Sequence, residues 1–322
     1  MNVKLYNPKQ ESVWNSFTAG SGNATFILDR RFLEYHKHQF RDNSLLLYDQ
    51  KNLVSVFPGS ESEDIIYSHG GLTYGGLLVK PNVSLLTTIS CFYALSRYYH
   101  NHGYTKIIYK PVPTFFHTNP YYQDLYALFL LRATLTAMNT GFVTQLPAKI
   151  SKRRMRLITK AQKHRIGIER ANNCYSFWDK ILVPHLASKF HTKPVHTFKE
   201  IEALRGRFPN NIIQYNALLN DMVIAGTTIF VDRGVAHSQY IASSELGRQT
   251  GALDYLFWHL LTKEFKSLRY FSFGTTNMGS VDGRELSRGL VEWKEGFGAH
   301  TVLYPCYTIE TKNYIYLNNT NG

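Results

Sequence analysis

The residues best suited to chemistry lie in the second half of the chain, in a segment that reads HSQYIASSELGRQTGAL. His237 has a side chain whose ordinary pKa suits a general base at neutral pH. Gln239, Tyr240 and Glu245 follow closely and can exchange hydrogen bonds or protons. Strict alternation along a strand would place His237 and Gln239 on one face and Tyr240 on the other. A hydrogen-bonded core histidine and a helix-capping glutamate are the competing interpretations of His237 and Glu245.

The residues that follow this strand, Glu245 to Ala252, are predicted to form a glycine-containing loop before a helix. A helix N-terminus offers unpaired N–H groups and a partial positive charge, which suits a pyrophosphate. The glycines let the backbone approach a ligand, and Arg248 adds a cation. Such loops are more often structural, so the pattern alone is weak. The candidate donor-binding residues are Ser244, Arg248, Gln249, Gly251 and Ala252.

A further set of polar residues could contact a second substrate. In the first half they lie at the end of a short helix and in the glycine-rich segment SHGGLTYGG (68–76), and in the second half after YFSFG and within EWKEGFG. Loops carry binding residues more often than regular elements do, but glycine-rich loops also simply turn. Lys294 fits a solvated helix face equally well. The candidates are His36, Lys37, Asp42, His69, Tyr74, Asn277 and Lys294.

Positive charge is concentrated in one segment. The chain has 36 Lys and Arg against 23 Asp and Glu, which gives a formal net charge of +13. Residues 149–170 hold nine of these cations and one glutamate, and Ser151 is a plausible N-cap for a helix there. This helix could be a solvated face, or bind phosphates of a nucleotide- or lipid-linked acceptor, transfer RNA or anionic membrane. The candidate phosphate contacts are Lys152, Arg153, Arg156 and Lys160.

Several classes of protein are disfavoured by composition. The three cysteines form no C-x-x-C pair, and no H-E-x-x-H motif or His pair beside a carboxylate appears, so we expect no metal site. No apolar run of about 18 residues and no apolar segment near the first residue is present, which favours a cytoplasmic location. Neither a nucleophile elbow nor a Walker loop nor a dinucleotide fingerprint is found.

The elements that would position these residues follow one order twice. In the first half we predict strand–turn–strand over 45–59, a third strand within 70–79, a helix over 84–103, a strand over 105–111, a helix over 124–131 and a strand in 132–143. In the second half we predict strand–turn–strand over 212–231, a strand over 234–243, helices over 252–265 and 284–298, and strands over 268–274 and 299–303. The order predicts a duplication, with domains at 1–148 and 171–322 and with a basic linker helix and the first strand of the second domain at 149–170. The alternative is chance, because mixed α/β chains often repeat such orders.

Several of these segments together resemble a known family. The run from Arg248 to Ala252 resembles the acyl-CoA pyrophosphate loop of GNAT acetyltransferases. Longer segments resemble the tandem GNAT proteins grouped with the Fem aminoacyltransferases, close to the acetyltransferase members linked with envelope polysaccharide synthesis. These segments are HSQYIASSELGRQTGALDYLFWHL, YFSFGTTN, GRELSRGLVEWKEGFGA, YHKHQFRDNSLLLYD and SHGGLTYGGLLV, with KRRMRLITKAQKHRIGI resembling the linker helix.

The resemblance implies an α/β fold of mixed sheets, with two tandem GNAT-like domains and a central cleft. It implies an acyltransferase that moves an acyl group from acyl-CoA to an amine or hydroxyl of a sugar in an envelope polysaccharide precursor by direct attack. Acetyl is the acyl group that the resemblance favours. The strand His237–Ser243 would supply the oxyanion donor. The alternative is aminoacyl-tRNA-dependent transfer to a peptidoglycan-type precursor. A third hypothesis is a non-catalytic module that binds nucleic acid or membrane through the basic helix.

Overall fold

The computed structural model of the chain describes residues 1–277 and 282–320. The chain folds as two units, each with its own hydrophobic core. Unit 1 comprises residues 1–139, 282–284 and 303–320, and unit 2 comprises residues 140–277 and 285–302.

Up to residue 145 short strands alternate with four helices. The strands are β1 (Asn2–Leu5), β2 (Arg41–Asp42), β3 (Leu45–Asp49), β4 (Asn52–Phe57), β5 (Ser60–Ser62), β6 (Ile65–Tyr67), β7 (Leu78–Val79), β8 (Lys106–Tyr109) and β9 (Thr134–Gln145). The helices are α1 (Glu11–Ala19), α2 (Arg30–Leu33), α3 (Leu85–Asn101) and α4 (Gln123–Leu130). Turns of 3-10 helix lie at Pro8–Gln10, Phe26–Leu28, Glu34–His36 and Thr114–Phe116.

The rest of the chain has longer strands. They are β10 (Gly167–Ala171), β11 (Ile212–Leu219), β12 (Met222–Asp232), β13 (Val235–Ser243), β14 (Tyr270–Thr275) and β15 (His300–Glu310). The helices are α5 (Lys152–Lys163), α6 (Tyr175–Phe177), α7 (Val183–Phe190), α8 (Phe198–Arg207), α9 (Glu245–Thr250), α10 (Ala252–His259) and α11 (Arg288–Glu295). Trp178–Leu182 and Leu260–Glu264 are π-helical, and Thr311–Thr320 is 3-10 helical.

Most of the predicted elements are confirmed, and local signals explain their ends. Helix α3 begins after Ser84, whose hydroxyl accepts a hydrogen bond from the backbone N–H of Thr87, and Gly103 follows its end with φ +87°. Ser151 caps α5 in the same way. The predicted helix over 284–298 is shorter, since α11 spans only residues 288–295.

Unit 1 contains two sheets. The first has the order β1-β3-β4-β7 and is antiparallel throughout, and the second has the order β15-β8-β6-β5-β2, with β6 and β8 parallel. The amphipathic helix α3 faces this unit's core through side chains such as Phe92 and Leu95, neither of which is exposed. Leu45 and Phe57 of the first sheet belong to the same core.

Unit 2 is built on a mixed sheet with the order β10-β11-β12-β13-β14-β9. Its strands are antiparallel except for β13 and β14, which run parallel and are joined through α9 and α10. Helix α10 contributes Leu256 and Phe257, neither of them exposed, to a core with Phe271 of β14 and Phe297 after α11. This sheet and helix α11 position the candidate catalytic residues.

Candidate active site in unit 2

The parallel strands β13 and β14 separate after three residue pairs. Pairing runs from Val235 with Tyr270 to His237 with Ser272. Beyond these pairs β13 continues beside β12, and β14 continues beside β9. Within residues 1–277 and 282–320, no further ladder pair joins the two strands. Their facing edges therefore offer backbone N–H and C=O groups to a ligand, as stabilisation of a reacting carbonyl requires.

Strand β13 is irregular at the point of separation. Ser238 pairs with Ile229 and Tyr240 pairs with Thr228, so Gln239 is the extra residue of a β-bulge. A bulge breaks the alternation of side chains between the two faces. The predicted division of His237 and Gln239 from Tyr240 therefore does not follow from the strand geometry.

Strand β14 is irregular next to this bulge and binds a buried lysine. Gly274 has φ +70°, a conformation that glycine adopts without strain, and the register of β14 on β9 shifts there. Lys294 of α11, only 2% exposed, donates hydrogen bonds from Nζ to the carbonyl oxygens of Gly274 and Thr275, at 2.9 and 2.7 Å. Its Nζ lies 5.9 Å from the ring centroid of Phe142.

The electrostatics of Lys294 differ from those of a surface lysine. In the described part of the chain no carboxylate lies within ion-pair distance of its Nζ. Burial lowers the pKa of Lys294 to about 7, because the charged form loses water without gaining an anion. A neutral amine has two N–H groups, and each can donate a hydrogen bond to one of the two carbonyls. Its lone pair is then left to take a proton. The sequence suggested a solvated face here, and burial overrules that interpretation.

His237 lies beside this lysine. Its Nδ1 and the hydroxyl of Ser272 are hydrogen-bonded at 2.9 Å, and its ring also bonds to the amide of Gln239. Burial, and then the nearby Lys294, lower the pKa of His237 to about 4, although the bond to Gln239 opposes the shift. The imidazole is therefore neutral at pH 7, where it can donate or accept one hydrogen bond per nitrogen but is a weak base.

A row of hydrogen bonds continues from His237 across the bulge. The side chain of Gln239 bonds to both His237 and Tyr240. The Tyr240 hydroxyl in turn meets Nδ1 of the buried His196 at 2.5 Å, and the Tyr240 ring packs edge-on against Trp178 with centroids 4.8 Å apart. Burial is the main reason that the pKa of Tyr240 is raised. Sequence patterns gave no signal for His196, because its contact comes from a segment more than forty residues away.

The segment predicted as a glycine-containing loop before a helix is itself helical, so the prediction of a loop is wrong. Helix α9 occupies residues 245–250, and only Gly251, with φ +76°, separates it from α10. The backbone N–H of Gly247 bonds to the Ser244 hydroxyl at 3.1 Å, and that of Arg248 bonds to the Ser244 carbonyl at 3.0 Å. These two N–H groups are thus bonded to the residue that caps the helix.

The side chains of α9 bond to one another. Arg248 donates to the carboxylate of Glu245 and, at 3.0 Å, to the carbonyl of Ser243, and Gln249 donates to Glu245 at 3.3 Å. The bond and charge of Arg248 lower the pKa of Glu245. Ala252 is buried at the start of α10. The donor-binding roles of these residues stay predictions.

In unit 1 the structure holds Asp42 in an ion pair. Arg30 donates from Nη1 to Asp42 at 2.9 Å, and its guanidinium packs over the rings of both Tyr6 and Trp14, 3.5 and 3.9 Å from their centroids. Lys37 is exposed. The side chain of His36 lies outside the described residues.

The glycine-rich segment of unit 1 is organised around a lysine that sequence reasoning missed. Nζ of Lys110 donates to the carbonyl oxygens of His69, at 3.2 Å, and Leu72, and burial lowers its pKa. His69 is buried with φ +62°, and the Tyr74 hydroxyl bonds to Thr25 at 3.1 Å. The only sequence signal for Lys110 was its place at the end of β8. Acceptor binding by this segment stays a prediction.

Asn277 stabilises the backbone near the end of β14. Its Oδ1 accepts hydrogen bonds from the backbone N–H of Thr140, at 2.7 Å, and from the Thr140 hydroxyl, at 3.3 Å. It also forms an isolated bridge with Leu286. These contacts fix the start of the unit 2 part of β9.

The predicted basic helix exposes most of its cations. The exposed cations include Lys152, Arg156 and Lys160, and none of them has a carboxylate within ion-pair distance in the described residues. Arg153 forms a long ion pair with Glu292, at 3.8 Å. Arg154 differs, because it is buried and donates to Asp254 at 2.8 Å. The helix is thus anchored by one arginine and presents the others to solvent.

Comparison with known proteins gives the fold. No protein-family model and no curated protein sequence matches the chain. Among solved structures, FemX is similar over 99% of this chain and 100% of that chain, with a TM-score of 0.67 and 11% identity. The chain has a tandem GNAT-like fold. An L-PGS from Bacillus licheniformis (TM-score 0.56, 11% identity, 98% and 94% of the two chains) and a tandem GNAT protein from the clavulanic acid biosynthesis pathway (0.52, 9%, 96% and 99%) are also similar.

These likenesses confirm the predicted fold class, and at such identities they show the fold alone. In unit 2, β13 and β14 are the parallel pair that separates, and α9 follows the first of them. The described residues hold no helix that is both long and apolar enough to cross a membrane. Nor do they bring together three or more His, Cys, Asp or Glu side chains as a metal ion would need.

Proposed function

We propose that the chain is an acyltransferase whose reaction takes place where β13 and β14 of unit 2 separate. One observation carries the proposal: a buried lysine that has no carboxylate partner among the described residues, its pKa lowered to about 7, beside a neutral histidine at the open edge of two parallel strands. Titration near the working pH is what a proton-transfer group needs. The GNAT-like fold supports the same chemistry by analogy.

The residues divide the work as follows. The acceptor amine or hydroxyl attacks the donor's carbonyl carbon, the new bond forms, and the carbonyl oxygen becomes an oxyanion held by N–H donors on the edge of β13. About half of the Lys294 amines are neutral near pH 7 and can take the acceptor's proton. The bond to the leaving group then breaks, and Lys294 returns the proton to it. His237, oriented by Ser272 and Gln239, hydrogen-bonds to the substrate without changing charge.

We propose that the donor is an aminoacyl-tRNA. The sequence favoured an acyl-CoA instead, with acetyl as the first choice of acyl group. Two features support the aminoacyl-tRNA. The N–H groups of Gly247 and Arg248 and the side chain of Arg248 are already bonded within residues 243–248, which leaves fewer partners for a CoA pyrophosphate. The exposed cations of α5 suit an RNA backbone. The acceptor, by family resemblance, is a nucleotide- or lipid-linked envelope precursor bearing a sugar or peptide amine or hydroxyl.

The donor is tested by binding. We expect labelled, aminoacylated tRNA to bind with a salt dependence that weakens in R156A/K160A by about one unit of slope for each lost phosphate contact. The matched control K9A/K51A removes the same charge from exposed lysines of unit 1 and should bind as wild type. Acyl-CoAs should not raise the unfolding temperature. A clear shift with acetyl-CoA, and RNA binding unaffected by R156A/K160A, would return the proposal to the acyl-CoA donor.

A further inference from the structure

Helix α4 of unit 1 is apolar on two sides. One side packs into the unit's core through Ala127 and Leu128. The other side is exposed: Tyr126 is 48% and Phe129 74% accessible, and Tyr122, which precedes the first residue of the helix, is 56% accessible. Together with Leu125, these residues recur at the i, i+3, i+4, i+7 spacing of one helix face. A surface helix of a soluble protein ordinarily places polar residues there, so this face is adapted to contact something apolar.

The apolar face continues onto the 3-10 helix at Thr311–Thr320. Asn313 of that helix donates to the carbonyl of Leu131 at 2.9 Å, which holds it against the end of α4. Tyr316 lies under the guanidinium of Arg132, 4.0 Å from ring centroid to carbon, and Ile315 is 51% exposed. We call this surface, made of Tyr122, Leu125, Tyr126, Phe129, Arg132, Ile315 and Tyr316, the α4 patch.

The exposed charged side chains nearest in sequence to the α4 patch are positive. Between residues 118 and 148 the only charged residues are Asp124 and Arg132, and Asp124 is buried. Lys312 is exposed beside the patch, and in the described residues neither it nor Arg132 has a carboxylate within ion-pair distance. The whole chain carries +13. The patch therefore combines an apolar centre with a cationic edge.

We propose that the α4 patch docks on the surface of an anionic lipid bilayer. Tyrosines at a boundary between apolar and wet surroundings, a phenylalanine at the centre and an arginine at the edge are the residue types that lie at the level of lipid headgroups. A second copy of the chain fits less well, because a two-fold contact would bring Arg132 and Lys312 of both copies together without anions. Docking would keep the protein beside membrane-attached substrates.

The test is co-sedimentation of the full chain with vesicles of phosphatidylglycerol and phosphatidylcholine in equal amounts, and with phosphatidylcholine alone. We expect binding to the mixed vesicles, and at least a tenfold loss in Y126S/F129S. The matched control V195S/M222S removes two exposed apolar side chains of unit 2, 67% and 54% accessible, and should bind as wild type. Arg132→Gln should reduce the preference for the anionic vesicles.

A gain-of-signal variant keeps the test independent of folding. Phe129→Trp should bind mixed vesicles at least as well as wild type, and the fluorescence of the introduced indole should be quenched by brominated lipid. No sedimentation of the wild-type protein, equal binding by Y126S/F129S, or no quenching in Phe129→Trp beyond that of wild type would each overturn the proposal. It would also be overturned if the wild-type protein were a dimer without vesicles and Y126S/F129S made it a monomer.

Discussion

Replacing Lys294 by methionine should change how stability depends on pH. In the folded protein burial lowers the pKa of Lys294 to about 7, whereas in the unfolded chain it is about 10.4. Below pH 7 both states are protonated, and the cost of burying the charge is fully present. Between these values the unfolded state binds one proton more, so the free energy of unfolding rises with pH. The contribution is about 1.4 kcal/mol per pH unit.

The assay is urea unfolding of wild type and K294M at a series of pH values, followed by tryptophan fluorescence. Three of the four tryptophans, Trp178, Trp258 and Trp293, lie in unit 2, so their fluorescence reports on unfolding of the unit that contains Lys294. Over two pH units above 7.5, wild type should gain about 2.7 kcal/mol relative to K294M. Tyrosines and cysteines also titrate in this range, but both proteins contain them, so their contribution cancels in the difference between the two unfolding free energies.

This prediction concerns the slope of the unfolding free energy against pH, and not the stability at any single pH. K294M also leaves the carbonyls of Gly274 and Thr275 without their donor, which costs about 1–3 kcal/mol each at every pH. Lys266→Met, which removes an exposed lysine of unit 2, should leave the slope unchanged. Parallel curves for wild type and K294M would refute the argument that Lys294 is neutral near physiological pH.

Three other predictions concern single residues. Burial raises the pKa of Asp124 to about 6. The free energy of unfolding of unit 1 should therefore fall as pH rises from about 4 to 6, because the unfolded chain releases this proton first. Asp124→Asn should flatten that fall, measured by urea unfolding. Gly226→Ala would place a Cβ 2.4 Å from the ring of Phe177 and should cost about 1–3 kcal/mol, whereas Gly206→Ala, with open space around it, should cost nothing. Tyr240→Phe removes the hydroxyl that joins Gln239 and His196 across the bulge, and should lower the transfer rate and shift its pH profile. Because the buried His196 loses this partner, the free energy of unfolding should also fall by about 1–3 kcal/mol.

Local signals predicted most elements of the fold. Ser84 and Ser151 marked the starts of α3 and α5, and apolar periodicity marked their lengths. The segment after β13 was misread because glycines were taken as signs of a loop. In the structure Gly247 lies against the Ile224 carbonyl, 2.4 Å from where a Cβ would be, so it is a packing glycine within a helix. Nothing in the local sequence separates these two uses of glycine.

The site was predicted only as separate residues. His237, Gln239 and Lys294 were candidates, but their meeting depends on β14 and α11, which begin 27 and 45 residues after the end of β13. The bulge at Gln239 could not be read from an alternating pattern. The neutral state of Lys294 depends on its burial, which the charged surroundings EWKEGFG conceal.

The most direct test of the central claim is a single-turnover transfer assay. It would measure transfer of a labelled amino acid from charged tRNA to a nucleotide-linked peptidoglycan precursor, across pH, by wild type, K294M and K266M. The account predicts a wild-type rate that rises through pH 7, a loss of at least a hundredfold in K294M, and an unchanged rate in K266M. Transfer by K294M at the wild-type rate, with the same pH profile, would contradict it.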